Sequence, residues 1–105
     1  MSRILLVDDD DSARLTLGAL LELEGHAVVE ADSLAAAVTQ LGSEPFAVVI
    51  VDWHLGRDDG LQLVPHTRGA KVLLLTGASE EAPRPPGVAA VVRKGDSFED
   101  LKRLL

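Results

Sequence analysis

Four apolar runs in this chain of 105 residues end in side chains able to do chemistry. Residues 4–7 run into Asp8-Asp9-Asp10-Asp11, residues 47–51 into Asp52, residues 72–75 into Thr76 and residues 88–92 into Arg93-Lys94. If these runs are strands of one sheet, Asp8 or Asp9 lies close to Asp52. Like charges a few ångströms apart cost about 4 kcal/mol per pair at an effective dielectric of about 20. Such a cluster calls for a hard divalent cation with oxygen ligands, and Mg2+ fits best because it keeps water positions open for a phosphate. Asp8 and Asp9 are assigned to the ion, whereas Asp10 and Asp11 cap the next helix or face solvent. A threonine or a lysine ending a strand is commonly a turn residue or a solvated charge. Together with the acids they suit phosphoryl transfer: the metal and Lys94 neutralise the equatorial oxygens, Thr76 hydrogen-bonds one of them, and Asp52 attacks phosphorus as a carboxylate nucleophile.

The elements that must position these groups follow from the same runs. With residues 27–29 they make five short segments rich in Val, Ile or Leu, which is a strand signal. They do not alternate with polar residues, so the expected strands are covered on both faces, as in a parallel sheet. Between the first two, Ala13, Leu17, Leu20, Leu21 and Glu24 fall at helical spacing, with Gly25 as a left-handed cap. Asp32-Ser33 opens a second helix through Leu34, Ala37, Val38 and Leu41, which Gly42 is expected to close. Right-handed crossovers then favour an α/β doubly wound open sheet with its ligand site at the carboxyl ends of the strands. Residues 60–67 are a short helix candidate interrupted by Pro65. Residues 77–87, with Pro83, Pro85 and Pro86, are expected to hold at most one turn followed by loop. Residues 97–105 form a last helix with Phe98, Leu101 and Leu105 inward.

Composition bounds the rest. With 47% hydrophobic and 26% charged residues the chain has the profile of one soluble globular domain spanning residues 1–105. Folding at this length hides roughly 65% of the unfolded surface, enough for a core without disulfides. The absence of cysteine excludes a thiolate zinc cluster, a redox pair and a thiol nucleophile. Ten Lys and Arg against seventeen Asp and Glu leave a net charge of −7, which disfavours direct nucleic-acid binding and an anionic membrane surface. No apolar run reaches the roughly 18 residues of a membrane span, and residues 4–7 are too short for a signal-peptide core, so a cytoplasmic location is expected.

In order along the chain, these motifs resemble the receiver domain of two-component response regulators. Ile4-Leu5-Leu6-Val7-Asp8-Asp9 is similar to its acidic first-strand motif, and Val48-Val49-Ile50-Val51-Asp52 to the strand carrying the phosphoacceptor. Asp59-Gly60-Leu61 resembles the turn that opens the third helix, Leu73-Leu74-Leu75-Thr76-Gly77 the strand with the switch hydroxyl, and Val91-Val92-Arg93-Lys94 the strand with the lysine. The resemblance implies a flavodoxin-like, five-stranded parallel sheet of order 2-1-3-4-5, here with shortened third and fourth helices. It implies that Asp52 accepts a phosphoryl group from a histidine kinase or histidine phosphotransfer protein. It further implies Mg2+ held by Asp8 or Asp9, Asp52 and the backbone carbonyl of His54. The domain would catalyse only its own phosphorylation and dephosphorylation, acting as a conformational switch.

Three positions depart from the family pattern. Gly56 stands where proline is usual, and Gly95 replaces the proline that commonly follows the lysine in a cis bond. Without proline the cis form costs about 2.5–4 kcal/mol, and the sequence leaves open whether Lys94-Gly95 is cis or trans. Val91 occupies the position of the aromatic switch residue. The shortened helices trim the surface through which many members dimerise or bind partners, although the resemblance still allows a homodimer. Two other readings compete. Asp8-Asp9-Asp10, Thr76 and Lys94 also resemble a phosphohydrolase of the haloacid dehalogenase type, which expects more acids after the lysine and a cap domain. The other is a non-phosphorylated pseudo-receiver interaction module, against which the complete set of pocket residues argues. Trp53 is read as packing beside the pocket, His54 with Ala78 as a neighbour of the phosphoryl position, His26 and His66 as surface residues, and Arg57-Asp58-Asp59 as a solvated turn.

Overall fold

Runs of Val, Ile and Leu too short for helices become the strands of a sheet that the intervening helices cover. The structure, a computed structural model, describes residues 2–77 and 84–105. In chain order the elements are β1 (Arg3–Val7), α1 (Asp11–Leu23), β2 (Ala27–Ala31), α2 (Leu34–Ser43) and β3 (Val48–Asp52). A two-residue ribbon follows, β4 (His54–Leu55) with β5 (Asp58–Asp59), then a 3-10 helix (Gly60–His66), β6 (Lys71–Thr76), β7 (Val88–Arg93) and α3 (Phe98–Lys102). The main sheet is parallel, in the order β2-β1-β3-β6-β7. With the ribbon set aside this is the expected 2-1-3-4-5 order, a doubly wound α/β fold.

Successive residues of each strand point to opposite faces, so a run of apolar residues feeds two cores. Leu5, Val7, Val49, Val51, Val72 and Leu74 pack with Ala37 and Leu41 of α2 and with Leu63 of the 3-10 helix. Ile4, Leu6, Val48, Ile50, Leu73 and Leu75 pack with Leu21 of α1 and Leu101 of α3. Each such side chain contributes about 1.5–3 kcal/mol when fully buried. Only the central strands follow the expectation of two covered faces. The edge strands β2 and β7 keep part of their surface, because each has a neighbour on one side only.

The helices begin where short polar side chains accept amide hydrogens. Asp10 accepts from Ala13, Ser33 from Ala36, Ser97 from Asp100, and Asp59 from Leu61. Gly25 takes φ +91° after α1, as a left-handed cap requires. α1 forms as its spacing predicts, with Gly18 and Leu21 buried and Leu20 and Glu24 exposed. Two expectations need correction. α2 does not close at Gly42 but runs to Ser43 and ends at Glu44, whose extended backbone is what the following Pro45 imposes. α3 stops at Lys102, and the chain turns so that Leu104 joins Phe98 and Leu105 against the core. Pro65 is accommodated inside the 3-10 helix, which is seven residues long. The reading of residues 77–87 falls partly on 78–83, outside the described residues; residues 84–87 lead into β7 by a turn, with Val88 N donating to Pro85 O at 3.2 Å. Among the described residues no helix is long and apolar enough to cross a membrane.

Candidate functional site

Strand register brings the chemical residues to one rim. Val7 lies beside Val51, Asp52 beside Leu75 and Thr76 beside Arg93, so Asp8, Asp52, Thr76 and Lys94 sit at the carboxyl ends of adjacent strands. Backbone bonds just past the strands hold this edge: Asp8 N donates to Ala31 O at 3.1 Å, Trp53 N to Leu75 O at 2.8 Å, and Lys94 N to Thr76 O at 2.8 Å. Behind Asp52 stands Gly60, whose amide donates to Trp53 O at 2.7 Å. A Cβ on Gly60 would lie 2.0 Å from the carbonyl oxygen of Asp52, so only glycine lets the 3-10 helix start against the end of β3.

Asp8, Asp9 and Asp52 each offer a carboxylate oxygen, all within 4.8 Å of one another. Asp8 and Asp52 are buried, 2% and 5% exposed, whereas Asp9 faces solvent. Lys94 answers the crowding: its Nζ donates to Asp52 Oδ2 at 2.7 Å and lies 3.5 Å from Asp8 Oδ2. Backbone amides answer the rest, Asp10 N donating to Asp8 Oδ1 at 3.0 Å, His54 N to Asp52 Oδ1 at 3.3 Å and Gly56 N to Asp9 Oδ2 at 2.9 Å. Burial pushes the Asp8 carboxyl above the usual range; the amide of Asp10 and the charge of Lys94 offset it in part, and neighbouring Asp52 adds to it. Burial pulls the Lys94 ammonium down, but its bond to Asp52 and the nearby Asp8 outweigh this and hold it above the ordinary lysine value.

These groups fit a hard divalent cation. The donors are all oxygens, and burial disfavours the charged form of the Asp8 carboxyl, a cost that a cation relieves. Asp9, Asp52, His54 and Lys94 line an open cleft of about 510 Å³ with Asp10, Gly56 and Gly77. Asp8 lies deeper and also borders a cavity of about 440 Å³ between α1 and α3. Thr76 sits under the rim rather than on it, with no exposed surface and its hydroxyl without a hydrogen-bond partner among the described residues.

The remaining residues separate cleanly. Trp53 is half-buried against the core on the α2 side, as packing requires, and the His54 ring stacks on it at 4.8 Å between centroids. His26 Nδ1 accepts from Ser2 N at 3.0 Å, and His66 is exposed. Arg57, Asp58 and Asp59 are exposed, Asp59 also capping the 3-10 helix. Val91 is half-buried against the core, and Lys94-Gly95 is trans. Ala78 lies outside the described residues. Sequence reasoning missed the contact of Gly60 with Asp52, and it missed Arg14. The Arg14 guanidinium donates to the backbone oxygen of Asp8 at 2.8 Å, to Asp11 at 2.8 Å and to Glu30 at 3.0 Å. Spacing from Asp11 to Arg14 is a visible helical pair; Glu30 and the carbonyl of Asp8 join it only in the folded chain.

Residues 4–93 match the family model described as the response regulator receiver domain. Among curated relatives, the phosphate regulon transcriptional regulatory protein PhoB of Escherichia coli (strain K12) is 36% identical over 93 residues, covering 82% of this chain. The chain spans only 40% of that relative's length. A response regulator protein from Burkholderia pseudomallei, solved with a phosphorylated aspartic acid, calcium ion and citrate, superposes with a TM-score of 0.88 at 29% identity, covering 100% of this chain and 66% of that one. The response regulator protein TrrA of Thermotoga maritima, solved in complex with Mg(2+)-BeF, gives 0.83 at 29% identity, with 100% of both chains covered.

Proposed function

Since the chain belongs to the receiver-domain family of response regulators, we propose that Asp52 is its phosphoacceptor in a Mg2+-dependent two-component switch. Residues 1–105 then act as one receiver domain. The observation that carries this reading is the contact of Lys94 Nζ with Asp52 at 2.7 Å inside a cluster of three carboxylates reaching within 4.8 Å of one another. The phosphorylated aspartic acid of the Burkholderia protein and the Mg(2+)-BeF complex of the Thermotoga protein support it. The haloacid dehalogenase alternative is set aside, because the matched family spans nearly the whole chain.

The donor is a phosphohistidine of a sensor histidine kinase or histidine phosphotransfer protein. A carboxylate oxygen of Asp52 bonds to phosphorus as the phosphorus–nitrogen bond breaks, leaving the electron pair on the imidazole and an acyl phosphate on Asp52. Asp8, Asp9 and Asp52, with the carbonyl of His54, would hold Mg2+, which when bound would supply positive charge for the phosphoryl oxygens. Lys94, which now neutralises Asp52, passes to a phosphoryl oxygen once the carboxylate is esterified. Thr76 donates its hydroxyl, unsatisfied among the described residues, to another, and that rearrangement is the switch. Hydrolysis returns phosphate and the free carboxylate, so the domain acts on itself and on no separate substrate. A phosphohistidine donor of this kind supports a cytoplasmic location, and the charge of −7 disfavours direct nucleic-acid contact by this domain.

The test is incubation with Mg2+ and a small phosphodonor such as acetyl phosphate, followed by intact-mass analysis. One added phosphoryl group is expected on the wild type and none on Asp52→Asn or in the presence of a chelator. Equal labelling of Asp52→Asn would refute the assignment, and no labelling of the wild type would leave the pseudo-receiver reading in its place.

A further inference from the structure

Arg14 also meets the acidic segment, and its contacts differ in kind from those of Lys94. Its side chain is 13% exposed, while its partners Asp11 and Glu30 are 78% and 31% exposed, so two surface acids hold an inward guanidinium. The remaining nitrogen, Nη1, donates to the backbone carbonyl of Asp8 at 2.8 Å. The amide of Arg14 donates to Asp10 O at 3.0 Å, so this one residue grips the 8–10 segment at two carbonyls. From that segment the Asp8 carboxylate turns toward Lys94 and Asp52, and the Asp9 carboxylate toward Gly56 N.

We infer that Arg14 is a positioning residue for the cation site, its planar fork fixing the Asp8 carbonyl and thereby the directions in which the Asp8 and Asp9 carboxylates leave the chain. A run of four aspartates repels itself, and without such a hold the segment relaxes by spreading its charges, which opens the cluster. Only a guanidinium can serve three partners in one plane; an ammonium is a single point of charge on a flexible stem. The inference rests on the proposed binding of Mg2+ by Asp8, Asp9 and Asp52, and it adds a residue that touches neither metal nor phosphate.

Positioning and plain electrostatics predict opposite signs. As a charge alone, Arg14 repels a cation, so Arg14→Met would tighten Mg2+ binding and Arg14→Lys would leave it unchanged. As a positioning group, its loss weakens binding in both variants, by about tenfold on the scale of outer-shell partners of metal ligands. Calorimetric titration of the full chain with Mg2+ reads this directly, at a temperature where circular dichroism shows each variant folded. General loss of stability does not change the affinity of molecules that remain folded. Should Arg14→Met fail to fold, Arg14→Lys, which keeps the charge and most of the stem, decides alone. Weaker binding by Arg14→Lys supports the inference, and wild-type affinity in Arg14→Lys or tighter binding in Arg14→Met overturns it. If the wild type itself bound no Mg2+, the functional reading would fall and this inference with it; if only the variants bound like the wild type, this inference alone would fall.

Discussion

Val7 and Val51 lie side by side at the centre of the sheet with no exposed surface, and the next residue in each segment is an aspartate. Across that single step the molecule changes from a floor stabilised by apolar burial to a rim where two acids are also buried, one of them with its carboxyl pushed upward. The floor meets every demand through packing on both faces. The rim depends on a few specific partners: Lys94 against Asp52 and Asp8, backbone amides against each carboxylate, and Arg14 behind. The contrast teaches that stability and chemistry occupy successive positions of the same strands, so a change at the rim can strengthen the fold while removing the function.

The largest effect is expected where floor and rim touch. Gly60→Ala puts a methyl group 2.0 Å from the Asp52 carbonyl oxygen and 3.1 Å from Val51 Cγ2, and backbone cannot yield as a flexible side chain does. It should lower stability by about 3 kcal/mol or more, read from the denaturant midpoint, and cut phosphodonor labelling in whatever fraction stays folded. An unchanged midpoint would mean that the two regions are not joined through this contact.

Asp8→Asn should act in the opposite direction. It keeps the acceptor for Asp10 N and removes a buried charge, so the protein should gain about 0.5–2 kcal/mol at neutral pH while losing Mg2+ binding. The pH dependence carries the sign. The folded Asp8 carboxyl titrates above its unfolded value, so the stability its proton supplies is full below about pH 3.9 and is lost as pH rises through the folded pKa. The gain of Asp8→Asn over the wild type should therefore shrink in thermal melts as pH falls toward that value. A gain independent of pH would detach it from the charge. The smallest effect is expected on the floor: at Gly18, buried in α1, a Cβ would meet Glu30 Oε2 at 3.5 Å and Leu6 Cδ2 at 3.8 Å, ordinary contact distances. Gly18→Ala should add about 0.5–1 kcal/mol of stability with no change in Mg2+ affinity.

Much of this architecture was legible in the sequence because each feature is local. Unbroken apolar runs mark strands covered twice, Asp10 and Ser33 mark helix starts, and Asp8, Asp9, Asp52, Thr76 and Lys94 stand immediately after the runs that carry them. What could not be read depends on contacts between distant segments. Asp8 and Asp9 are adjacent and identical in type, yet one is buried and the other exposed, a difference set by surroundings that only the fold supplies. The burial of the Thr76 hydroxyl and the three partners of Arg14 belong to the same class. Helix ends erred for a simpler reason: Gly42 can close a helix, but Pro45 and the extended Glu44 close this one.

Three carboxylates from two separate segments, Asp8-Asp9 and Asp52, lie within 4.8 Å of one another beside the proposed phosphoacceptor, and titration calorimetry with Mg2+ on the wild type and Asp52→Asn shows whether they form one cation site. The wild type should bind a single Mg2+ saturably at millimolar concentrations, and Asp52→Asn markedly more weakly. Absence of heat in the wild type, or the same isotherm in both proteins, would contradict such a site.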